Sequence, residues 1–305
     1  MLRYTLRRLV LGIVTLIGVT VIIFVASRLS GDVTYLLLPQ DATEQQVAEL
    51  RHQLGLDQPI FVQYAKFVEG VAQGDFGESI RYRQPAMGLI LSRLPATLEL
   101  AFAAFFVSLV IGLLFGIIAA RARGTWLDRV IRTGAIIFQA TPPFWIGIMA
   151  ILVFAVQLHW LPTSGRSGFD SLIMPAFTLA LFFFAALMRI TRSAMIENIN
   201  SEFVKFLRVK GASERSIVYK HAFRNSMVSV IAFAGLLLVN LIGGTVIVET
   251  VFAWPGMGSL IVEAVTNRDY PLIQAGVFII SVFLICLNIV VDLSFGVIDP
   301  RVRYE

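Results

Sequence analysis

Eight Lys and Arg side chains (Arg189, Arg192, Lys205, Arg208, Lys210, Arg215, Lys220 and Arg224) fall between Arg189 and Asn225, an interval flanked by two long apolar runs. Among them Met195, Ile199, Phe203, Phe206 and Val209 or Lys210 recur at three- and four-residue steps, the spacing that aligns side chains on one face of a helix. A basic amphipathic helix has two chemistries open to it. It can present apolar anchors to a groove on another protein, or lie in a membrane interface with its cations on anionic lipid. The periodicity alone fits both.

The rest of the chain is poor in reactive groups. Cys286 is the single cysteine and sits in an apolar run, so an internal disulfide and a cysteine metal cluster are both excluded. His52, His159 and His221 are widely scattered, which leaves no metal or catalytic site to build on histidine. G-x-x-x-x-G-K-[ST], G-x-S-x-G and H-E-x-x-H are all absent, so no nucleotide, hydrolase or zinc-protease motif is present and no catalytic residue is assigned. No basic-aromatic patch argues for nucleic acid. A carrier driven by protons or sodium needs ionisable groups near the midplane of its spans. Here the apolar runs are nearly uncharged: Glu99 and Asp292 lie at their ends, and Gln139, Thr141, Asn240 and Asn288 are the polar candidates for a translocation path. Gln139, Asn240 and Asn288 can equally be interhelical hydrogen bonds, and Gly243-Gly244 reads as close helix packing.

With 57% hydrophobic and 15% charged residues and a mean hydropathy of +0.80, the chain is far from the soluble average of about 25% charged. It reads as an integral membrane protein with spans at about 9–29, 98–120, 133–157, 171–189, 226–248 and 270–292. The first run has the charged start of a signal peptide but is longer than an h-region of about 7–15 residues, so it is expected to remain as a span. Pro95 and Thr97 predict the start of the second, and Thr141-Pro142-Pro143 must break or kink the third, because proline has no amide donor. Placing the amino terminus, 121–132, 189–224 and the tail in the cytosol puts 17 of the 25 Lys and Arg there, and the short outer loops keep only Arg166 and Arg268. The expected fold is therefore all-α, with six transmembrane helices and both termini cytosolic. A small helical extracytoplasmic cap at 30–96 joins the first two spans, and a cytosolic loop occupies 190–225. In the cap, Thr43 with Gln46 makes a capping box, Val47, Leu50 and Leu54 a helical stripe, and Gly55 a stop, with a second helix around 61–71 ended by the glycines of 74–79. Residues 249–269 read as a partly inserted or interfacial hairpin.

The basic loop carries a more specific signal. Glu202-Phe203-Val204-Lys205-Phe206-Leu207-Arg208-Val209-Lys210-Gly211-Ala212-Ser213-Glu214, followed by His221-Ala222-Phe223-Arg224-Asn225, resembles the signature loop of binding-protein-dependent ABC importer permeases, within them the dipeptide, oligopeptide and nickel branch. Leu54-Gly55-Leu56-Asp57-Gln58-Pro59, Gly74-Asp75-Phe76-Gly77-Glu78-Ser79, Pro95-Ala96-Thr97-Leu98-Glu99-Leu100, Phe252-Ala253-Trp254-Pro255-Gly256-Met257-Gly258, Arg268-Asp269-Tyr270-Pro271 and Asp299-Pro300-Arg301 resemble family positions in the same order. The chain differs from many members in carrying bulky Phe206, Leu207 and Val209 where small residues are usual, and Ser229 where proline is usual.

The resemblance implies that the segment at Glu202–Gly211 is a coupling helix, seated in a groove of a cytosolic ATPase, with Glu202, Phe203, Lys205, Phe206, Arg208, Lys210, Gly211 and Ser213 as the coupling residues. It implies a multi-pass permease of the bacterial plasma (inner) membrane. Its partners would be a second homologous permease, two ATPase subunits carrying ATP and Mg, and an extracytoplasmic solute-binding protein, with lipid around it. The chain itself would be non-catalytic and bind no cofactor. Short peptides, including glutathione-like ones, are the favoured cargo, with nickel chelates or sugars next and a self-contained secondary carrier last.

Overall fold

The computed structural model describes residues 2–29, 34, 38, 42–53 and 55–298. Leu54, most of 30–41 and the tail with Arg301 and Arg303 lie outside them. The described elements are helical, apart from one isolated bridge between Glu78 and Pro85. In order they are α1 (Leu2–Leu29), α2 (Glu44–Gln53), α3 (Ile60–Gln73), α4 (Ala86–Arg121), α5 (Trp126–Ala140), α6 (Pro143–Ala150), α7 (Phe169–Ile199), α8 (Glu202–Val209), α9 (Phe223–Val251), α10 (Met257–Thr266) and α11 (Tyr270–Ile298). A π-helical stretch Ile151–Gln157 extends α6, and a turn at Glu214–Ser216 with a second π-helical stretch Ile217–Ala222 leads into α9.

Five of these helices are long and apolar enough to cross a membrane: Leu6–Leu29, Ala86–Arg121, Phe169–Ile199, Glu214–Val251 and Tyr270–Ser294. A sixth crossing exists only if Trp126–Ala140 and Pro143–Gln157 are counted together, and these two are bent by 100°. At 1.5 Å per residue each half measures about 22 Å, short of the ~30 Å hydrocarbon core. The Thr141-Pro142-Pro143 break is therefore a sharp corner. Pro142 takes φ −59°, ψ 135°, an extended conformation, and Pro143 restarts the helix at its first turn, where a missing amide costs nothing.

Three helices differ from the expected spans. Pro95 does not begin a helix; it lies inside α4, which starts nine residues earlier at Ala86. A proline inside a helix removes one amide bond and crowds the preceding turn, at about 3 kcal/mol. The next two residues, Ala96 and Thr97, are tied to remote parts of the chain by bonds described below. α7 runs unbroken past Arg189 to Ile199, so Arg189 and Arg192 are helical rather than part of a loop. α9 passes through Ser229 as continuous helix, and a π-helical stretch at Ile217–Ala222 leads into it.

The chain forms two compact units, 1–94 with 260–289, and 95–259 with 290–305. In the first, Thr20 on α1 meets the Tyr64 hydroxyl on α3 at 3.0 Å, and Gln274 on α11 donates to Ser27 at 3.0 Å. Rings of Phe24, Phe67, Phe76 and Phe278 follow one another at 5.8, 6.4 and 5.4 Å, tying α1, α3 and α11 together. The capping box forms as spaced: the Thr43 amide donates to Gln46 Oε1 at 2.9 Å, and the Gln46 amide to Thr43 Oγ1 at 3.4 Å. Gly74 ends α3 with φ 75°, a left-handed turn that glycine adopts without strain.

In the second unit α7 is central. Leu179, Phe183 and Leu187 pack against Leu100 and Ala104 of α4 and Val230, Leu237 and Leu241 of α9 in one buried cluster. Gly112 and Gly116, one turn apart on α4, allow this approach: a Cβ would stand 2.7 Å from that of Leu187 and 2.6 Å from that of Thr191. This is small-residue packing of the kind membrane helices use, where van der Waals contact replaces the hydrophobic drive. Of the Gly243-Gly244 pair only Gly244 packs closely, against Leu179 and Phe183.

Candidate coupling helix and translocation path

α8 is an eight-residue helix that begins after Ser201. Its end follows from Gly211, at φ 82°, whose amide reaches the Arg208 carbonyl at 2.9 Å while the Ala212 amide reaches Leu207 at 3.0 Å. These bonds satisfy carbonyls that the helix leaves open. Ser213 then caps the next turn, its hydroxyl accepting from the Ser216 amide at 3.3 Å. Val204 is the one fully buried side chain of α8, and the helix packs on the π-helical stretch Ile217–Ala222.

The opposite side of α8 is unusual. Phe203, Phe206 and Val209 are 36%, 58% and 86% exposed. At 100° per residue they occupy about a third of the circumference. The five-residue stripe expected from the sequence is therefore divided at Asn200-Ser201. Met195 and Ile199, on α7, turn inward to a cluster with Ala120, Val218 and Ala222, whereas the three residues on α8 turn outward.

The charges are largely engaged with one another. Lys205 bonds Glu202 at 2.7 Å, Arg208 grips Glu214 through two nitrogens at 2.7 and 3.2 Å, and the Lys210 ammonium lies 4.5 Å from the centre of the Phe206 ring. Exposed pairs of this kind contribute little to stability, but they hold the cations beside the apolar stripe. All eight coupling residues suggested by the sequence thus gather on α8 and the turn that follows it.

The four path candidates bond to separate partners. Gln139, near the end of α5, accepts from Arg189 of α7 at 2.7 Å, and Thr141 caps α5 by donating back to Ile137 at 2.7 Å. Asn240 and Asn288 each donate to the carbonyl one turn back in their own helices, Leu236 and Leu284, at 2.9 Å, and they belong to different units. A second feature of α5 was not read from the sequence. Asp128, 1% exposed, is held by Arg192 of α7 at 2.8 Å through both oxygens, by Arg132 at 3.2 Å and by the Gly124 amide at 3.1 Å. The next cation toward the start of α7, Arg189, donates to the neutral amide oxygen of Gln139.

Sequence reasoning also missed two buried carboxylates. Glu249, 0% exposed, accepts from Thr97 Oγ1 at 2.7 Å and from the Ser259 amide at 2.8 Å. Around it the Met257 amide donates to Thr97 Oγ1 and the Trp254 indole to the Ala96 carbonyl, both at 2.8 Å. Gly256 and Gly258 border the carboxylate so closely that a Cβ would fall 2.2 Å from Glu249 Cδ or 2.9 Å from its Oε2. In the first unit Asp269, 1% exposed, accepts from Ser79 Oγ and from the Arg81 amide at 3.2 Å, and caps α11 through the Leu272 amide at 3.3 Å. Arg81 and Tyr82 complete that corner on Glu263, at 3.1 and 3.0 Å.

The comparisons with known proteins agree with this architecture. The model of the family described as "Binding-protein-dependent transport system inner membrane component" matches residues 112–304, and that family's N-terminal model matches residues 1–101. The chain is 34% identical, over the whole of both chains, to the dipeptide transport system permease protein DppB of Alkalihalophilus pseudofirmus. It is 39% identical, again over both whole chains, to the glutathione transport system permease protein GsiC of Escherichia coli strain K12. Among solved structures, an inward-facing MetNI methionine ABC transporter chain aligns with a TM-score of 0.56 at 21% identity, covering 70% of this chain and 97% of that one. A chain of an amino acid ABC transporter solved with histidines aligns at 0.55 and 15%, covering 68% and 93%. The long apolar helices, the corner at Thr141-Pro142 and the full-length matches lead to one assignment: the chain belongs to the binding-protein-dependent transport system inner membrane components, the multi-pass permease subunits of ABC transporters.

Proposed function

We propose that this chain is the permease subunit of an ATP-driven importer for short peptides, dipeptide, oligopeptide or glutathione-like, and that α8 is the helix through which partner ATPases drive it. The observation that carries this reading is the exposed stripe of Phe203, Phe206 and Val209 on a helix whose other face is buried through Val204. An apolar stripe in water is costly unless a groove covers it, and a helix in a groove is read through anchors at such steps. The paired cations and Glu202 at its edges would fix the register, since charges at a rim set orientation more than affinity. The chain would provide half of the path, a second homologous permease the other half, and two ATPase subunits the ATP and Mg. An extracytoplasmic binding protein would deliver cargo to the cap at 30–96 and the segment at 249–269. Both termini would lie in the cytosol, as the distribution of Lys and Arg suggests. The identities to the dipeptide and glutathione permeases support the cargo class.

The deciding experiment is ATP-dependent uptake of a labelled dipeptide or glutathione into proteoliposomes carrying the complete complex. Phe206→Asp is expected to release the ATPases and abolish ATP-dependent uptake. Glu202→Lys is expected to abolish uptake while leaving membrane insertion intact. Normal uptake by both variants would sink the coupling role, and uptake by the purified chain alone would replace it with a secondary carrier.

A further inference from the structure

The second unit contains an open concavity of about 630 Å³ that neither the coupling stripe nor the path candidates use. That is roughly the liquid volume of twenty waters, ample for a glycerophosphate group. Ala120, Ile199 and Val218 form its apolar floor, and Arg121, Arg215 and Tyr219 stand in its walls. Arg121 donates to the Tyr219 hydroxyl at 3.3 Å and, among the described residues, neither it nor Arg215 has a carboxylate partner. The acidic wall residue, Glu214, is already neutralised by the two-nitrogen grip of Arg208. Arg121 is also the last residue of the apolar helix α4.

We propose that this concavity binds the phosphate of an anionic phospholipid such as phosphatidylglycerol, with Arg121 and Arg215 on the phosphate oxygens and the Tyr219 hydroxyl as a third donor. Guanidinium planes match phosphate bidentately, and basic pockets between transmembrane helices on the cytosolic side suit anionic headgroups. The apolar floor, continuous with the end of a membrane helix, favours a lipid over free phosphate. The proposal rests on the cytosolic placement of this end of α4 given above. It makes the site a place where membrane composition acts on the region that carries α8.

The test uses the complete transporter, purified in mild detergent and passed through nanodiscs of phosphatidylcholine with or without phosphatidylglycerol. Retained lipid is counted by native mass spectrometry, and ATP-dependent uptake is measured in parallel. Wild type is expected to retain phosphatidylglycerol selectively, with a loss of about fivefold for each of Arg121→Gln and Arg215→Gln and a smaller loss for Tyr219→Phe. Inorganic phosphate at millimolar concentration is expected not to displace it. Unchanged retention in the double Arg variant overturns the proposal, and displacement by inorganic phosphate overturns it in favour of a free anion. Loss of the ATPases from the double variant with lipid unchanged reassigns the walls to a protein contact. A wild type that holds the lipid but shows no ATP-dependent uptake overturns the importer reading alone.

Discussion

The corner around Glu249 and the outer face of α8 break the usual rule of apolar residues inside and charges outside, in opposite directions. At Glu249 a carboxylate is fully buried, with Thr97, the Ser259 amide and the closely fitted Gly256 and Gly258 around it. At α8 two phenylalanines and a valine are turned to the outside. A buried carboxyl group is tolerated only where hydrogen-bond partners already surround it, so the first exception is complete within this chain. An exposed apolar stripe has no such internal remedy and points to something outside the chain. One exception therefore concerns stability, the other assembly, and substitutions should separate them.

The largest expected effect lies at the buried corner. Glu249→Ala leaves the Thr97 hydroxyl and Ser259 amide without their acceptor, and unfolding in detergent should show a loss of about 2–5 kcal/mol. Gly256→Ala forces a methyl into the carboxylate and should cost about 1–3 kcal/mol or more. Combined, the two should cost less than their sum by about 1 kcal/mol or more, because removing the carboxylate opens the space the methyl needs. Strict additivity would mean that Gly256 is glycine for some reason other than this contact.

The converse holds on α8. Phe206→Ala should leave thermal unfolding of the isolated chain unchanged and weaken association with the ATPases by about 1–3 kcal/mol, read as loss from a pull-down titration. A lower unfolding temperature with assembly intact would move Phe206 into the stabilising class and erase the contrast. Asp128→Asn tests the middle ground, a buried carboxylate that pins α5 to α7. It leaves the Arg192 guanidinium, 19% exposed, without its charge partner, and a stability loss of about 2–4 kcal/mol is expected, with the ATPases still bound.

The smallest effect is expected in the cap. His52 Nδ1 lies 2.7 Å from Asp57 Oδ2, and this hydrogen bond, with the aspartate charge, raises the imidazole pKa above its ordinary value. A raised folded-state pKa gives a contribution that is complete below the ordinary value of 6.5 and lost as pH rises through the folded-state pKa. Because both side chains are exposed, NMR titration is the sensitive readout: Asp57→Asn should lower the His52 midpoint while leaving uptake unchanged.

Much of the architecture was legible from local rules. Apolar runs, the capping box at Thr43 and Gln46, the glycine stop at 74 and the break at Thr141-Pro142 are each decided by a few neighbouring residues and follow from backbone and transfer energetics. Helix ends were less legible. The charges of Arg189 and Arg192 suggested that α7 ended there, yet contacts with Gln139 and Asp128 extend it to Ile199. Proline suggested a start at Pro95, yet the helix runs continuously through it, with Trp254 bonded to Ala96 and Met257 to Thr97 just beyond.

Composition and periodicity by themselves determined that this chain is a helical membrane protein with a basic amphipathic segment between Arg189 and Asn225, because burial of apolar surface and helical period are properties of residue order. Only the tertiary structure decided which face of that segment turns outward and which motifs meet. Pro95-Ala96-Thr97 closes on Glu249 and Trp254, and Ser79 closes on Asp269, across separations of 150 residues or more. A carboxylate beside an apolar run looks the same in sequence whether it faces water or is enclosed. What distinguishes the two is the set of donors brought to it from remote parts of the chain, and those arrive only when the helices pack.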